Sequence, residues 1–493
     1  MKNKQLTLVV VSLLVVVLSV SLAYFTAQII GNGKDVSVTS TNLQIVFTDI
    51  DGEIAGADIE PGWQETKTFT IKNNSKSEYK YNIVIKDLVN TFVTNGYLKY
   101  KITSTNNGYN MTEFKDIPKS SIATDTILAY SVVIPNGITQ SYTIEFKYAN
   151  DESVDQSDDM GRKLSGTLFI TEGTEDPNKT LLTQLLVDKS TKLTRTDFSK
   201  VLTDNNTNTL YTSTEDSKTV YYFAGNATDN WVKFGKNTSN QDLYWRIIRT
   251  NSDGSVRLLY HGTSTTATDA YIGTSTFNSS RDNIAYVSYM YGNLGNVANA
   301  RANTTNSTIK TTIDNWYKDN LNTNYAKYLS TTAVYCNDRS TSDNAYFGAY
   351  TRLITNKTPS YDCSVAEDKF TVDSTVGNGK LTYPIALMTA DEVSFAGGLY
   401  GTNAPTWYYY NSANGSSTGS THWWLLSPYR WGGGSAYVFS VGGLSRPGYL
   451  DFNSVDNPRG VRPAISLKSC TLYSTGNGSA SAPYTIKETT SGC

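Results

Sequence analysis

Apolar and polar positions alternate with period two along much of the first third of the chain. The runs VSVTSTNLQIVF, TKTFTIKN, YKYNIVIKDL, YLKYKIT, ILAYSVVI, QSYTIEFKYA and KLSGTLFITEG are each rich in β-branched and aromatic residues, with Gly, Asn, Asp or Pro nearby. Seven such runs between Val36 and Glu172 predict a β-sandwich. In the second run Phe69 and Ile71 fall on one face and Thr68, Thr70 and Lys72 on the other, as in a strand half buried against a core. Lys67 breaks that face at its edge, so the inward stripe is expected to begin at Phe69.

The period changes after Glu172. TEDPNKTLLTQLLVDKS opens on Asp176-Pro177 and sets Leu181, Leu182, Leu185 and Leu186 at helical spacing, which predicts a short amphipathic helix. TDNNTNT, from Thr203 to Thr209, reads as a polar loop. From Tyr211 onward, short strands alternate with long loops rich in Asn, Ser and Thr. Asp253-Gly254 between Leu243–Arg249 and Ser255–Tyr260 signals a hairpin. Ile309, Ile313, Trp316, Tyr317 and Leu321 line one face of a helix. A second helix is announced at Thr389-Ala390-Asp391-Glu392, where Thr389 caps the backbone, Glu392 reaches back, and Gly397-Gly398 supplies the stop. Glu392 is therefore expected to be structural.

At the N-terminus, Lys2 and Lys4 precede an apolar run from Leu6 to Phe25, the layout of a secretory signal with a cut after Ala23, or of an uncleaved anchor. Either form exports the remainder. The domain plan is then a leader or anchor over 1–30, a β-sandwich over 31–173, a helical linker over 174–210, a C-terminal domain over 211–475, and a tail over 476–493 that carries Cys493. The fold class is mainly β with a few helices, an α+β head following the sandwich.

Composition sharpens the picture. A formal charge of −2, with 17% charged residues, gives no basic face for nucleic acid. The chain holds 35 Tyr and 8 Trp among long polar stretches, a mixture used by recognition surfaces and also by β-rich exported chains. All four cysteines lie in the C-terminal part, and pairing Cys336 with Cys363 and Cys470 with Cys493 closes the shortest loops of the three connectivities.

Two resemblances add expectations. The leader end Ala23-Tyr24-Phe25-Thr26, the strand Leu43–Phe47, and Pro61-Gly62 followed by Phe69–Asn73 resemble the secreted camelysin and TasA family of β-sandwich proteins. That resemblance implies export and, in some members, assembly into surface fibres. In the C-terminal part, the order Trp424-Leu425-Leu426-Ser427-Pro428, a strand near Tyr437–Val441, then Gly460-Val461-Arg462-Pro463-Ala464 resembles the C-type-lectin-like fold of the formylglycine-generating-enzyme type. It is also similar to the target proteins of diversity-generating retroelements, which set a variable ligand-binding patch on that fold. With the Trp245-Arg246 hairpin, it further resembles a poorly characterised domain of exported Gram-positive proteins.

On this footing Trp423, Trp424, Leu425, Val461 and Ile465 are expected in the core, Arg462 in a structural ion pair, and Tyr429–Ser435 in a displayed loop that starts near Pro428. The ligand-binding candidates are Tyr429, Arg430, Trp431, Ser445, Arg446, Tyr449, Asp451, Asn453 and Asp456, because aromatic and Arg side chains dominate binding energy while small polar ones adapt. The expected function is an exported, surface-displayed protein that binds a protein or glycan ligand and meets the cell envelope through its N-terminus. A structural subunit of a self-assembling surface fibre is the alternative. A formylglycine-generating-type oxidase needs reactive cysteines, which disulfide pairing removes, and His261 and His422 are the only histidines, so no catalytic residues are assigned. No cofactor or metal is expected. Calcium is compatible with the implied fold class, but Asp49-Ile50-Asp51-Gly52 is too short to count as a calcium loop.

Overall fold

The computed structural model describes residues 36–40, 43–49, 59–267, 270–341, 345–409, 422–443 and 446–493. The leader, with its expected signal or anchor, lies outside the described residues, as does Ser445. The protein is mainly β with a few helices, and it divides into two compact units, Met1–Pro177 and Asn178–Cys493.

Among its described residues the first unit holds nine strands: β1 (Val36–Ser40), β2 (Leu43–Asp49), β3 (Gln64–Asn73), β4 (Tyr79–Asn90), β5 (Leu98–Ser104), β6 (Lys115–Asp116), β7 (Ser120–Ile134), β8 (Thr139–Tyr148) and β9 (Leu164–Glu172). They form a six-stranded sheet in the order β1-β2-β3-β8-β5-β6 and a three-stranded sheet β7-β4-β9. Apolar residues of both sheets meet in one core, with Phe69, Ile71, Ile102 and Ile144 from the larger sheet and Ile83, Ile85, Leu168 and Ile170 from the smaller. The run VSVTSTNLQIVF is a hairpin of two strands, paired from Val36 opposite Phe47 to Ser40 opposite Leu43.

The inward stripe of β3 corrects one expectation. Lys67 is buried on the same pleat as Phe69 and Ile71, and so is Asn73 at the far end. Alternation places Lys67 inside regardless of its polarity, and a long aliphatic stem suits that position. Asn73 is accommodated because its amide donates to the Ile134 and Ser77 carbonyls at 3.0 and 2.8 Å.

The unit boundary falls between Pro177 and Asn178, inside the stretch read as a linker. The expected helix forms at Leu181–Asp188, with Thr180 as its N-cap, and it buries Leu181 and Leu185 in the core of the second unit. Its entry is clipped to the chain near the other end of that unit. Leu181 N donates to Thr471 O and Tyr473 N to Lys179 O, both at 2.8 Å, beside the Cys470–Cys493 disulfide. The tail is also part of this unit, since Tyr484 is fully buried in its core and Tyr484–Ile486 pairs with the strand Trp231–Lys236.

The second unit is built on two sheets around one large core. The strands Asp242–Thr250 and Val256–Gly262 form the expected hairpin, and Pro463–Leu467 pairs on one side with Val256–Gly262 and on the other with Ile385–Leu387. A five-stranded sheet contains Trp423–Gly432, Ser435–Val441 and Leu450–Ser454 as neighbours. The helix Thr308–Asn320 buries Ile309, Ile313 and Tyr317 as its apolar spacing requires. No helix among the described residues is long and apolar enough to cross a membrane. The disulfides Cys336–Cys363 and Cys470–Cys493 both form, which is compatible with an oxidising compartment.

Arg462 departs from its expected ion pair. It is fully buried over the Trp423 ring at 4.8 Å, and its Nε donates to the Tyr260 carbonyl at 3.1 Å. Among the described residues no carboxylate pairs with it, and burial lowers its pKa to about 10. The arginine thus links the two sheets, one through a backbone carbonyl and the other through an indole face.

Candidate functional site

The strand Trp423–Gly432 is apolar at its start because both of its sides are covered. Trp423, Trp424, Leu425 and Leu426 are fully buried, and Trp424 Nε1 donates to Ser275 O at 2.9 Å. Its register with Ser435–Val441 pairs Pro428 with Val438 but Arg430 with Tyr437, so Tyr429 is an extra residue on this strand. A bulge of this kind re-aims side chains. Here Tyr429 and Arg430, neighbours in sequence, serve the same face. The Tyr429 ring stacks on Phe452 and meets Phe439 edge-on at 5.0 Å, while the Arg430 guanidinium lies 4.9 Å from the Tyr437 ring and 5.8 Å from that of Phe452.

Two segments remote in sequence complete this face. Ala345–Phe347 runs along Tyr429–Trp431, with Trp431 N donating to Ala345 O at 2.7 Å and Phe347 N to Tyr429 O at 3.3 Å. It brings Tyr346 and Tyr350, whose rings stack at 3.9 Å and approach Tyr429 at 6.1 and 5.3 Å. On the other side Leu399–Gly401 runs along Leu450, exchanging two backbone hydrogen bonds of 3.3 Å with it. That contact brings the Tyr400 hydroxyl to 3.1 Å from the Tyr429 hydroxyl.

Tyr429 is the hub of the cluster and is only 5% exposed, whereas Tyr346, Tyr350, Tyr400, Tyr437, Phe452 and Arg430 around it are partly exposed. Burial, with the Tyr400 hydrogen bond adding to it, pushes the Tyr429 phenol well above its ordinary range, so it stays protonated. Arg430 makes no salt bridge among the described residues, and its Nε is buried without a hydrogen-bond partner. Burial works against its charge, but the hydrogen bond with Tyr346 and the surrounding phenols outweigh that and raise its pKa.

The structure divides the nine candidates. Tyr429 and Arg430 belong to the aromatic face, with Tyr429 beneath it as a support. Asp451 and Asn453 alternate with Phe452 and so face the other side of the sheet. Asp451 is 8% exposed and accepts from Arg446 Nη1 at 2.9 Å. Asn453 Oδ1 accepts from Arg459 Nη2 at 2.6 Å, while its amide donates to Ser440 Oγ at 2.7 Å. Asp451 is nearly buried and Asn453 partly exposed, and these ties hold both side chains on that side of the sheet. His422 Nδ1 lies 3.9 Å from Asp451, and burial lowers the His422 pKa against the pull of that carboxylate. Arg446 lies over Tyr449, and Asp456 accepts from the Ser454 hydroxyl at 2.6 Å and pairs with Arg281 at 3.6 Å. Trp431, opposite Ala436, is partly buried against the main core.

The displayed loop expected at Tyr429–Ser435 is also corrected. The strand continues through Gly432 and reverses in two residues, Gly433 and Gly434, whose φ of +59° and +72° fit the type I′ turn that matches strand twist. The change from core to surface therefore comes at the bulge, between Tyr429 and Arg430, and not at the end of the strand.

A second polar cluster is structural. Glu392 is fully buried and accepts from Arg257 Nη1 at 2.7 Å and Arg249 Nε at 2.8 Å, while its other oxygen completes the capping box with Thr389 N. Burial opposes its charge, but Arg257 and Arg249 outweigh that and hold its pKa at about 2. The cavity beside these arginines, about 10 Å³, has room for one water molecule and no ligand. No cluster of side chains able to hold a metal ion occurs among the described residues.

No family model and no curated protein matches the chain. Among solved structures, one titled "AvmM Catalyzes Macrocyclization in Alchivemycin A Biosynthesis" aligns at 12% identity over 29% of this chain and 98% of that one, with a TM-score of 0.16. A similarity at that score carries no argument about fold or activity.

Proposed function

We propose that this is an exported, surface-displayed ligand-binding protein whose second unit recognises a glycan or protein through the aromatic face around Tyr429. The observation that carries this reading is the convergence of Tyr346, Tyr350, Tyr400, Tyr437 and Phe452, all partly exposed, from three regions of the chain onto one bulged strand. Folding does not require so many large rings to keep contact with water, whereas recognition does. A buried hub with a partly exposed ring of aromatics is also the arrangement expected of an interface centre. The two disulfides support export. The strand order and the Gly460–Ala464 stretch support a C-type-lectin-like head, and the first unit then serves as the spacer that carries it.

The test is an array of immobilised glycans and surface proteins probed with the purified protein and with a Tyr350→Ala/Tyr437→Ala variant. Loss of at least tenfold in affinity without change in the unfolding midpoint is expected. Ligand binding that is unaffected by both substitutions sinks the site. Ordered polymers of the pure protein, seen by electron microscopy with no ligand bound in any array, favour a fibre subunit instead.

A further inference from the structure

The composition of the aromatic face narrows its ligand. The partly exposed side chains of that face are tyrosines, one phenylalanine and one arginine; every aliphatic side chain on the three strands is buried, and among the described residues of the two flanking segments Ala345 and Leu399 are the partly exposed ones. Aromatic side chains and arginine serve protein interfaces as well, so the chemistry of the ring and hydroxyl decides between the two classes. A tyrosine offers a flat ring whose negative face suits the C–H side of a pyranose, together with a hydroxyl that suits its O–H groups. Set among these rings is one guanidinium with no salt bridge among the described residues, held at 4.9 Å over Tyr437. Its Nε is buried and has no hydrogen-bond acceptor among the described residues. The neighbouring arginines are already engaged, Arg281 with Asp456, Arg446 with Asp451 and Arg459 with Asn453. A planar cation without a counter-ion among the described residues, in a partly desolvated setting, matches a carboxylate in two-point geometry.

We infer that the site takes an anionic saccharide, a pyranose bearing a carboxylate, which pairs its carboxylate with Arg430 and lays its apolar face on the adjoining tyrosine rings, Tyr346 and Tyr350 foremost. This rests on the binding reading above and adds the chemical class of the ligand.

The probes are oligogalacturonate, a hyaluronan tetrasaccharide and sialyllactose, each titrated calorimetrically beside its own methyl ester, which keeps the sugar and removes the charge. Polyglutamate serves as the acidic peptide. The full chain is used as wild type, Arg430→Gln and Arg430→Lys. At least one acid should bind roughly tenfold or more tightly than its ester, and Arg430→Gln should erase that difference. Arg430→Lys should restore part of it, and added salt should weaken acid binding alone. Equal affinity for every acid and its ester, or an acid preference that survives Arg430→Gln, overturns the anionic class and leaves the aromatic site standing. Preference for polyglutamate over all three acids overturns the saccharide class in favour of a peptide. Binding of a ligand in the array but of none of these probes overturns the inference alone, and binding of nothing in either experiment overturns both. The acid and ester comparison uses the wild type, so it stands even where a variant folds poorly.

Discussion

The Tyr429 and Phe452 rings lie parallel, 4° apart in plane with centroids 4.0 Å apart, across a sheet whose register would otherwise turn Tyr429 away. The bulge makes that stack, and the stack fixes the floor beneath the exposed rings. Tyr429→Ala should lower stability by about 3 to 5 kcal/mol, as for other large buried rings. Trp424→Ala should cost about the same, since Trp424 is fully buried. Trp431→Ala, at a partly exposed position, should cost about 1 kcal/mol. Urea unfolding midpoints of the three variants test the order, and a Trp431 variant as unstable as the other two contradicts it.

Glu392 ties pH to stability. Its folded pKa of about 2 lies below the ordinary glutamate value of 4.5, so it contributes stability that is present above about 4.5 and is lost as pH falls toward 2. Glu392→Gln keeps the acceptor for Thr389 N but leaves Arg249 and Arg257 without their shared anion. A loss of about 3 to 5 kcal/mol is expected at neutral pH. Unfolding curves from pH 6 to 2 should show the wild type losing more stability than the variant, and parallel curves would rule this role out.

The Cys336–Cys363 bridge closes a span of 27 residues that includes the loop bearing Tyr346 and Tyr350. Replacing both cysteines by serine should lower stability by about 3 kcal/mol through the entropy of the unfolded loop. Ligand affinity should fall as well, because that loop carries two rings of the site. Titration of the native protein with a thiol reagent should find no free thiol, since all four cysteines are paired.

The two-residue turn gives a local test. Both Gly433 and Gly434 sit at positive φ with open space where a Cβ would stand. Gly433→Asn, tolerated in this turn, should be near neutral, whereas Gly434→Val should cost about 1 to 2 kcal/mol. Thermal unfolding of the pair distinguishes backbone strain from crowding, because crowding would penalise both.

Much of the fold was legible because the side-chain period reports which way a residue faces. Phe69 and Ile71 announce β3, Ile309 and Ile313 the helix that buries them, and Thr389 with Glu392 a cap that forms as read. The site was less legible. Tyr429 and Arg430 stand out in sequence, but the bulge that sends both to one face is set by pairing with Val438 and Tyr437, which no local pattern encodes. Tyr437 carried a usable signal, since it lies between buried Ala436 and Val438 on a strand, whereas Phe452 stands beside the partly exposed Asn453. Tyr346, Tyr350 and Tyr400 carried none. Tyr346 and Tyr400 arrive from aperiodic segments and Tyr350 from a short helix at Gly348–Tyr350, placed by a few backbone contacts such as Ala345 with Trp431 and Leu399 with Leu450. Asp451 was read as displayed because polarity alone does not tell a surface group from a buried tie.

The clip between Lys179–Leu181 and Thr471–Tyr473 bears on how the second unit would respond to tension. The Cys470–Cys493 bond anchors Cys493 one position before Thr471, so a pull applied between Asn178 and Cys493 reaches the clip early. The paired segments run antiparallel and would be drawn from opposite ends, which loads both backbone hydrogen bonds in shear at once instead of opening them in turn. Force then passes along a short path at the edge of the fold, and the strand bearing Tyr429 and Arg430 carries none of it until the clip gives way.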